Sequence, residues 1–431
     1  MNTSKLKYQV SGIKYIMLKN YSEKIREIVK NCSLKTTNYY KTSIWFRALF
    51  LSITIFIVLR LFTSLVLLIG IIQPRPDFPY AEITQNNILY LEQKSEFSKL
   101  FLAPWYRWDT GHYIEIADFG YDFDPVLSVW PPLYPFLIKC FGYVIIPTIL
   151  SAIFISNLFF ILAFTLMYLY VTDLLDENIA KKTLFFSAII PTSFYFVAGY
   201  TESVFLFFTV ATFRLLKQKK WLLAGIVSSL ASLTRVQGIL LLIPIFVELW
   251  LDYIPQRDFK SFFTHSFSCV YAPLAYGLYS LYVYFGLRLD WPWVTLSKHW
   301  NQHFGWPWEG ITSTIAILFG RQIENDITPT LVKILSIILP IGAAYLLFKI
   351  RKTIPISVSL FSWAMLLMIM GKIDDNNAIV STIRYLITIF PIFIGQALIF
   401  KNRYLKLSYF IMSVITQIIL LVMFYWWYWV A

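Results

Sequence analysis

The chain reads as an all-α polytopic membrane protein with about eleven transmembrane helices. Three observations predict this. Apolar runs close to the roughly 20 residues needed to cross a bilayer recur along it. Of its 431 residues 58% are hydrophobic and 14% charged, more apolar surface than a soluble fold readily hides. Basic residues also gather at alternate breaks: Arg214, Lys217, Lys219 and Lys220; Lys349, Arg351 and Lys352; Lys401, Arg403 and Lys406. That placement fits the positive-inside rule and puts these breaks, with the N-terminus, in the cytoplasm. Backbone that meets lipid must satisfy its own hydrogen bonds, so the spans are helices.

The net charge of +13 does not imply nucleic acid as a partner. Ten basic residues lie within residues 1–47, against Glu23 and Glu27 alone. No soluble module interleaves them with base-stacking aromatics. Cys32, Cys140 and Cys269 are far apart and odd in number, which gives neither a disulfide framework nor a metal motif. The first apolar run starts near Ile44 behind a long basic segment and is too long for a signal-peptide core, so it reads as an uncleaved anchor.

Taken in order, residues 1–43 form a basic, weakly amphipathic cytoplasmic tail suited to anionic lipid. Residues 44–431 form one membrane domain. The first span is 44–72. Residues 73–130 make a long outer loop, opened by Pro74, Pro76 and Pro79, with nine acidic residues against four basic ones. A structureless loop of that length is unusual, so short surface helices are expected, one from about Asp109 to Phe119. Trp130-Pro131-Pro132-Leu133-Tyr134-Pro135 leads back to the membrane, and prolines bracket a re-entrant or interfacial stretch at 136–147. Spans follow at 148–171, 183–199, 200–216, 221–235, 236–251 and 266–287. The short ones are tolerated where they line a protein cavity. A second outer loop, 288–329, is rich in Trp. Four more spans, 330–349, 354–371, 380–400 and 407–430, leave the C-terminus outside. No internal repeat appears, which counts against a transporter.

Four outward-facing constellations are candidates for chemistry. The first is Arg107-Trp108-Asp109-Thr110-Gly111-His112-Tyr113. If 109–119 is helical, Asp109, His112, Tyr113 and Ile116 share a face. Asp109 is then either a general base or a helix cap. The second is Tyr200-Thr201-Glu202-Ser203, a carboxylate at a turn between apolar helices, or a capping box. The third is Thr234-Arg235. An arginine at membrane depth needs a partner, and both a lipid-linked phosphate and Glu202 qualify. The fourth joins His299, Trp300, Gln302 and His303 to Ser381-Thr382-Ile383-Arg384-Tyr385. Its tryptophans stack on sugar or anchor at the interface. His299 and His303, with His112, make a weak metal set, because no helical His-Glu-x-x-His motif is present.

These same pieces resemble the PIG-V family of membrane mannosyltransferases, within the GT-C class of multi-span glycosyltransferases. The residues that carry the resemblance are Arg107 to Tyr113 with Ile116-Ala117 and Gly120-Tyr121; Pro132-Leu133-Tyr134-Pro135; Pro191 and Tyr200-Thr201-Glu202-Ser203; Ala231-Ser232-Leu233-Thr234-Arg235 with Gly238; and Arg384-Tyr385-Leu386 with Phe390-Pro391. They run in family order from about residue 105 to 395. The basic tail has no counterpart.

The resemblance implies a GT-C-like fold and an inverting transfer of a hexose, mannose, from a polyprenyl-phosphate-linked donor to a lipid-linked or glycan acceptor. It implies Asp109 as the base. Arg235 and Arg384 suit the departing phosphate, whose developing charge wants fixed cations. Arg107, Trp108, His112, Tyr113, Tyr200, Glu202, His299, Gln302 and His303 are the residues expected to bind or orient substrate. Glu202 either orients the acceptor or holds an arginine. No cofactor and no metal are expected, since neither a Gly-rich phosphate loop nor an Asp-x-Asp motif is present. Membrane lipids, donor and acceptor are the partners. The Lys-, Asn- and Ile-rich composition points to a bacterial plasma membrane, with the endoplasmic reticulum membrane as the eukaryotic counterpart. A flippase for lipid-linked sugars, or a non-catalytic subunit of a glycosylation complex, is the competing reading.

Overall fold

The computed structural model describes residues 43–72, 95–144, 148–320, 328–374, 378–379 and 381–431. The basic tail up to residue 42, the first part of the acidic loop with its prolines, and Asp375 lie outside the described residues. The chain divides into two compact units, Met1–Leu51 and Ser52–Ala431. The described part of the first is the beginning of α1 (Ile44–Ile72), which is apolar along its length.

α2 (Glu96–Phe101) and α3 (Asp109–Phe119) are short helices in the described end of the first loop, and α3 has the expected bounds. α3 stops at Gly120, whose φ of 80° suits a residue without Cβ. α4 (Leu133–Val144) is a short apolar helix in the stretch expected to be re-entrant or interfacial. α5 (Thr148–Leu174) is a full-length span, and α6 (Glu177–Ile189) returns from it, capped by the Asp176 carboxylate on the Ile179 N–H at 2.8 Å. α7 (Glu202–Lys217) packs against both α5 and α8 (Trp221–Thr234). Its Val204, Phe205, Leu206 and Val210 are fully buried. A 3-10 segment, Val236–Leu241, leads into α9 (Leu242–Gln256), followed by α10 (Phe259–Ser266) and α11 (Tyr271–Leu281), which lies against α8.

The region expected as the second outer loop is largely structured. It contains α12 (Pro292–Trp300), β1 (Gln302–Phe304) and α13 (Pro307–Leu318). After α14 (Thr330–Ile350) and α15 (Ile356–Met370), β2 (Lys372–Asp374) pairs antiparallel with β1, and β3 (Ala378–Ile379) pairs with β2. This small sheet ties the predicted second outer loop to the segment that follows α15.

The span expected at 380–400 is not continuous. α16 (Thr382–Tyr385) and the turn Leu386–Thr388 meet α17 (Pro391–Ile399) at a bend of 81°. Pro391 has no N–H to continue the hydrogen-bond ladder, so a new helix starts there. α18 (Arg403–Tyr425) ends the fold.

Among the described residues five helices are long and apolar enough to cross a bilayer: Ile44–Gly70, Thr148–Leu174, Val236–Gln256, Thr330–Ile350 and Arg403–Tyr425. The bent pair makes a sixth. Other predicted spans are carried by shorter apolar helices such as α8 and α15. The chain is a multi-pass membrane protein whose short helices gather round a buried polar centre.

Candidate active site

Asp109 is the first residue of α3. The chain enters it through Trp108, at φ 54° and ψ −126°, a strained conformation for a residue with a side chain. Trp108 itself occupies the cap position. The Asp109 carboxylate is not spent on capping. Its Oδ2 accepts from Arg384 Nη1 at 2.6 Å.

Arg384 lies on α16, entered through Ser381, another residue with positive φ (57°). Its Nε donates to Glu202 Oε1 at 2.5 Å. Arg235 Nη1 donates to that same oxygen at 2.7 Å and to Thr201 Oγ1 at 2.9 Å. Four separate elements thus supply one chain of charge, Asp109–Arg384–Glu202–Arg235. All four residues are under 9% exposed, so each charge is held by its neighbours rather than by water. Aromatic faces complete the seating. The Arg384 guanidinium lies 4.5 Å from the Tyr200 ring centroid, and that of Arg235 4.2 Å from Tyr385.

Local structure explains why Arg235 reaches Glu202. α8 ends at Thr234, and Arg235 turns extended, at φ −152° and ψ 139°. The following 3-10 turn then lies flat on the end of α8. A Cβ on Gly238 would sit 2.3 Å from the Ser232 backbone nitrogen, so only glycine fits.

Burial opposes ionisation of Asp109 most strongly. The charges of Arg384 and His112, the Arg384 hydrogen bond and the Arg235 charge outweigh it and hold the carboxyl below the ordinary aspartate value. Burial, then the nearby Asp109 charge, push the Tyr113 phenol well up. Tyr113 is therefore neutral, and its hydroxyl lies 3.4 Å from that of Thr201.

These groups border a cavity of about 210 Å³. Asp109, Tyr113, Arg235 and Arg384 line it together with Trp130, Trp300 and Gln302. Strand alternation accounts for Gln302. Along β1, Gln302 and Phe304 reach the cavity while His303 points away.

The remaining expected residues fall outside the lining. Glu202 sits behind it, joining the arginines. Tyr200 is buried beneath Arg384, and its hydroxyl donates to the Arg107 carbonyl at 3.1 Å. Arg107 is a brace: its guanidinium donates to the Tyr425 carbonyl at 3.1 Å and the Ala103 carbonyl at 2.8 Å. Trp108 packs edge-on against Trp427 and Trp429. His112 lies over Trp130 at 4.6 Å. His299 and His303 are exposed and away from the cavity. Among the described residues no three His, Cys, Asp or Glu side chains come together as a metal-holding group.

Sequence reasoning missed Lys372, which lines the cavity, and gave Tyr385 no role. Lys372 Nζ donates to the Tyr385 hydroxyl at 3.3 Å. Its one signal was its place in Gly371-Lys372-Ile373-Asp374, just outside an apolar helix.

Residues 129–276 match a protein-family model described as dolichyl-phosphate-mannose-protein mannosyltransferase. That segment holds Glu202 and Arg235 but neither Asp109 nor Arg384. Over 159 residues the chain is 30% identical to the GPI mannosyltransferase 2 of Schizosaccharomyces pombe, covering 36% of this chain and 34% of the relative. The chain therefore spans about a third of the length of the curated relative it matches. Two solved structures of the Archaeoglobus fulgidus oligosaccharyltransferase are also similar. One, in complex with Zn and sulfate, is 15% identical at a TM-score of 0.40 and covers 84% of this chain and 53% of its own. The other, tethered with an acceptor peptide, is 13% identical at a TM-score of 0.40, covering 91% and 56%. In sequence the chain resembles membrane mannosyltransferases.

Proposed function

We propose that this chain, which resembles membrane mannosyltransferases over residues 129–276, moves a mannosyl group from a polyprenyl-phosphate-linked donor to a lipid-linked or glycan acceptor. One observation carries the reading. Asp109 faces a cavity whose walls also hold Arg235 and Arg384.

The transfer proceeds with inversion. The acceptor hydroxyl oxygen bonds to the anomeric carbon of the donor sugar, and its proton passes to Asp109. The bond from that carbon to the phosphate oxygen breaks, and polyprenyl phosphate leaves with the electron pair. Proton removal requires a carboxylate within hydrogen-bond reach of the hydroxyl. Arg384 meets Oδ2 of Asp109, which leaves Oδ1 for the acceptor. The same contact keeps the carboxylate ionised and able to take a proton. A retaining route commonly uses a second carboxylate as nucleophile. Glu202 is poorly suited to that role, because its Oε1 is shared by two guanidinium groups. Its part is to fix the arginines, whose uncommitted N–H donors turn to the phosphate. The basic clusters at alternate breaks support an active site on the non-cytoplasmic side, in a bacterial plasma membrane.

The test is Asp109→Asn, assayed in proteoliposomes with polyprenyl-phosphate mannose and a lipid acceptor extract. Transfer falls about 10²- to 10⁴-fold, the usual worth of a positioned general base. Transfer at the wild-type rate would remove Asp109 as the base.

A further inference from the structure

We propose that Lys372 binds the donor: its ammonium, held at the cavity wall by the Tyr385 hydroxyl, takes the phosphate of the polyprenyl-phosphate sugar. The proposal rests on the transferase reading above and deepens it.

Charge balance singles out Lys372 among the cavity's cations. Arg384 is paired with Asp109 and Glu202, and Arg235 with Glu202. These two cations and two carboxylates cancel. Lys372 lines the same cavity and, among the described residues, makes no ion pair. Its Nζ donates to the Tyr385 hydroxyl at 3.3 Å and lies 5.3 Å from that ring's centroid. This contact is a hydrogen bond to a hydroxyl and not an ion pair with a carboxylate. Among the described residues Lys372 is therefore the cavity-lining cation that no carboxylate pairs with.

A departing phosphate gains negative charge as its bond to the sugar breaks, so an uncompensated fixed cation favours that step more than an arginine already shared between carboxylates. An ammonium has three donors. One serves Tyr385, and two remain for phosphate oxygens. The position is fixed by the fold as well. Lys372 stands opposite Phe304 in the β1–β2 ladder, so its backbone is held by a sheet rather than by a free loop. The Tyr385 ring also carries Arg235 at 4.2 Å, which joins Lys372 to the arginine network through one aromatic side chain.

The test is binding, read without turnover. Polyprenyl phosphate and the neutral polyprenol of the same length are titrated into the full chain in lipid nanodiscs and followed by native mass spectrometry. The wild type prefers the phosphate. Lys372→Gln weakens phosphate binding roughly 10- to 100-fold, the worth of one charge-assisted contact, and leaves polyprenol binding unchanged. Lys372→Arg retains most of the preference. Lys372→Met, which keeps the aliphatic stem, is the second variant. A folded Gln or Met variant that binds the phosphate as the wild type does overturns the role of Lys372 and leaves the transferase reading standing. A wild-type chain that binds phosphate no better than polyprenol overturns both.

Discussion

Arg384 carries two carboxylates on one guanidinium, and this decides how its neighbours behave. Removing one partner of a buried ion pair leaves an uncompensated charge and costs about 3–5 kcal/mol. Arg384→Gln therefore lowers the melting temperature in detergent, whereas Arg384→Lys, which keeps the charge but loses the fork, falls between that variant and wild type. The Asp109 carboxyl is held below its ordinary value, with burial opposing and Arg384 the main force in favour. The sign follows from that depression. The pair contributes stability above the usual aspartate range and loses it as pH falls through the lower folded value. Activity accordingly shows no acid limb between pH 8 and about 5, and declines only below about 3.9, the unperturbed aspartate value. A limb near pH 6 would contradict the ion pair. Arg235 and Arg384 were legible in the sequence because charge is conspicuous within or beside apolar runs, and Asp109 because its loop stretch resembles a family motif. The pairing of Arg235 with Glu202 was one of two readings the sequence offered, whereas the partners of Arg384 were not legible. That Glu202 holds both arginines follows from the packing of α7, α8 and α16, which no local pattern records.

The elements that present these residues are short and interrupted. α3 was readable because it begins at a polar loop and ends at Gly120. The break between α16 and α17 was less so, since the residues around it are as apolar as any span and Pro391 alone marks it. The predicted loop at 288–329 hid α12, β1 and α13, because tryptophans that anchor at an interface and tryptophans that pack over a cavity look alike in sequence. Gly238 gives a test at this scale. A methyl group there meets the Ser232 backbone nitrogen at 2.3 Å, and no side-chain movement relieves it. Gly238→Ala forces the 3-10 turn off the end of α8. It costs about 1–3 kcal/mol as overpacking does, and moves Arg235 away from Glu202. Thermal unfolding reads the first effect, and a fall in transfer out of proportion to the lost stability reads the second.

Across the molecule, the short helices and turns, rather than the long apolar helices, carry the charges of the site. Burying two acids and two arginines with little water is costly unless each is paired, so the pairing fixes the relative positions of α3, α7, α8 and α16. The basic clusters and apolar runs made the membrane class plain from the sequence, since both follow directly from bilayer physics. The short spans implied a cavity, but most of its lining did not emerge from that reading, because it is bounded by residues more than 300 positions apart, from Asp109 to Trp429. The most direct test uses the purified chain in liposomes with polyprenyl-phosphate mannose and extracted lipid acceptors, read by mass spectrometry. A mannosylated acceptor formed together with free polyprenyl phosphate, and abolished in Asp109→Asn, is the predicted result. Movement of the intact donor across the bilayer with no mannosylated product would contradict it.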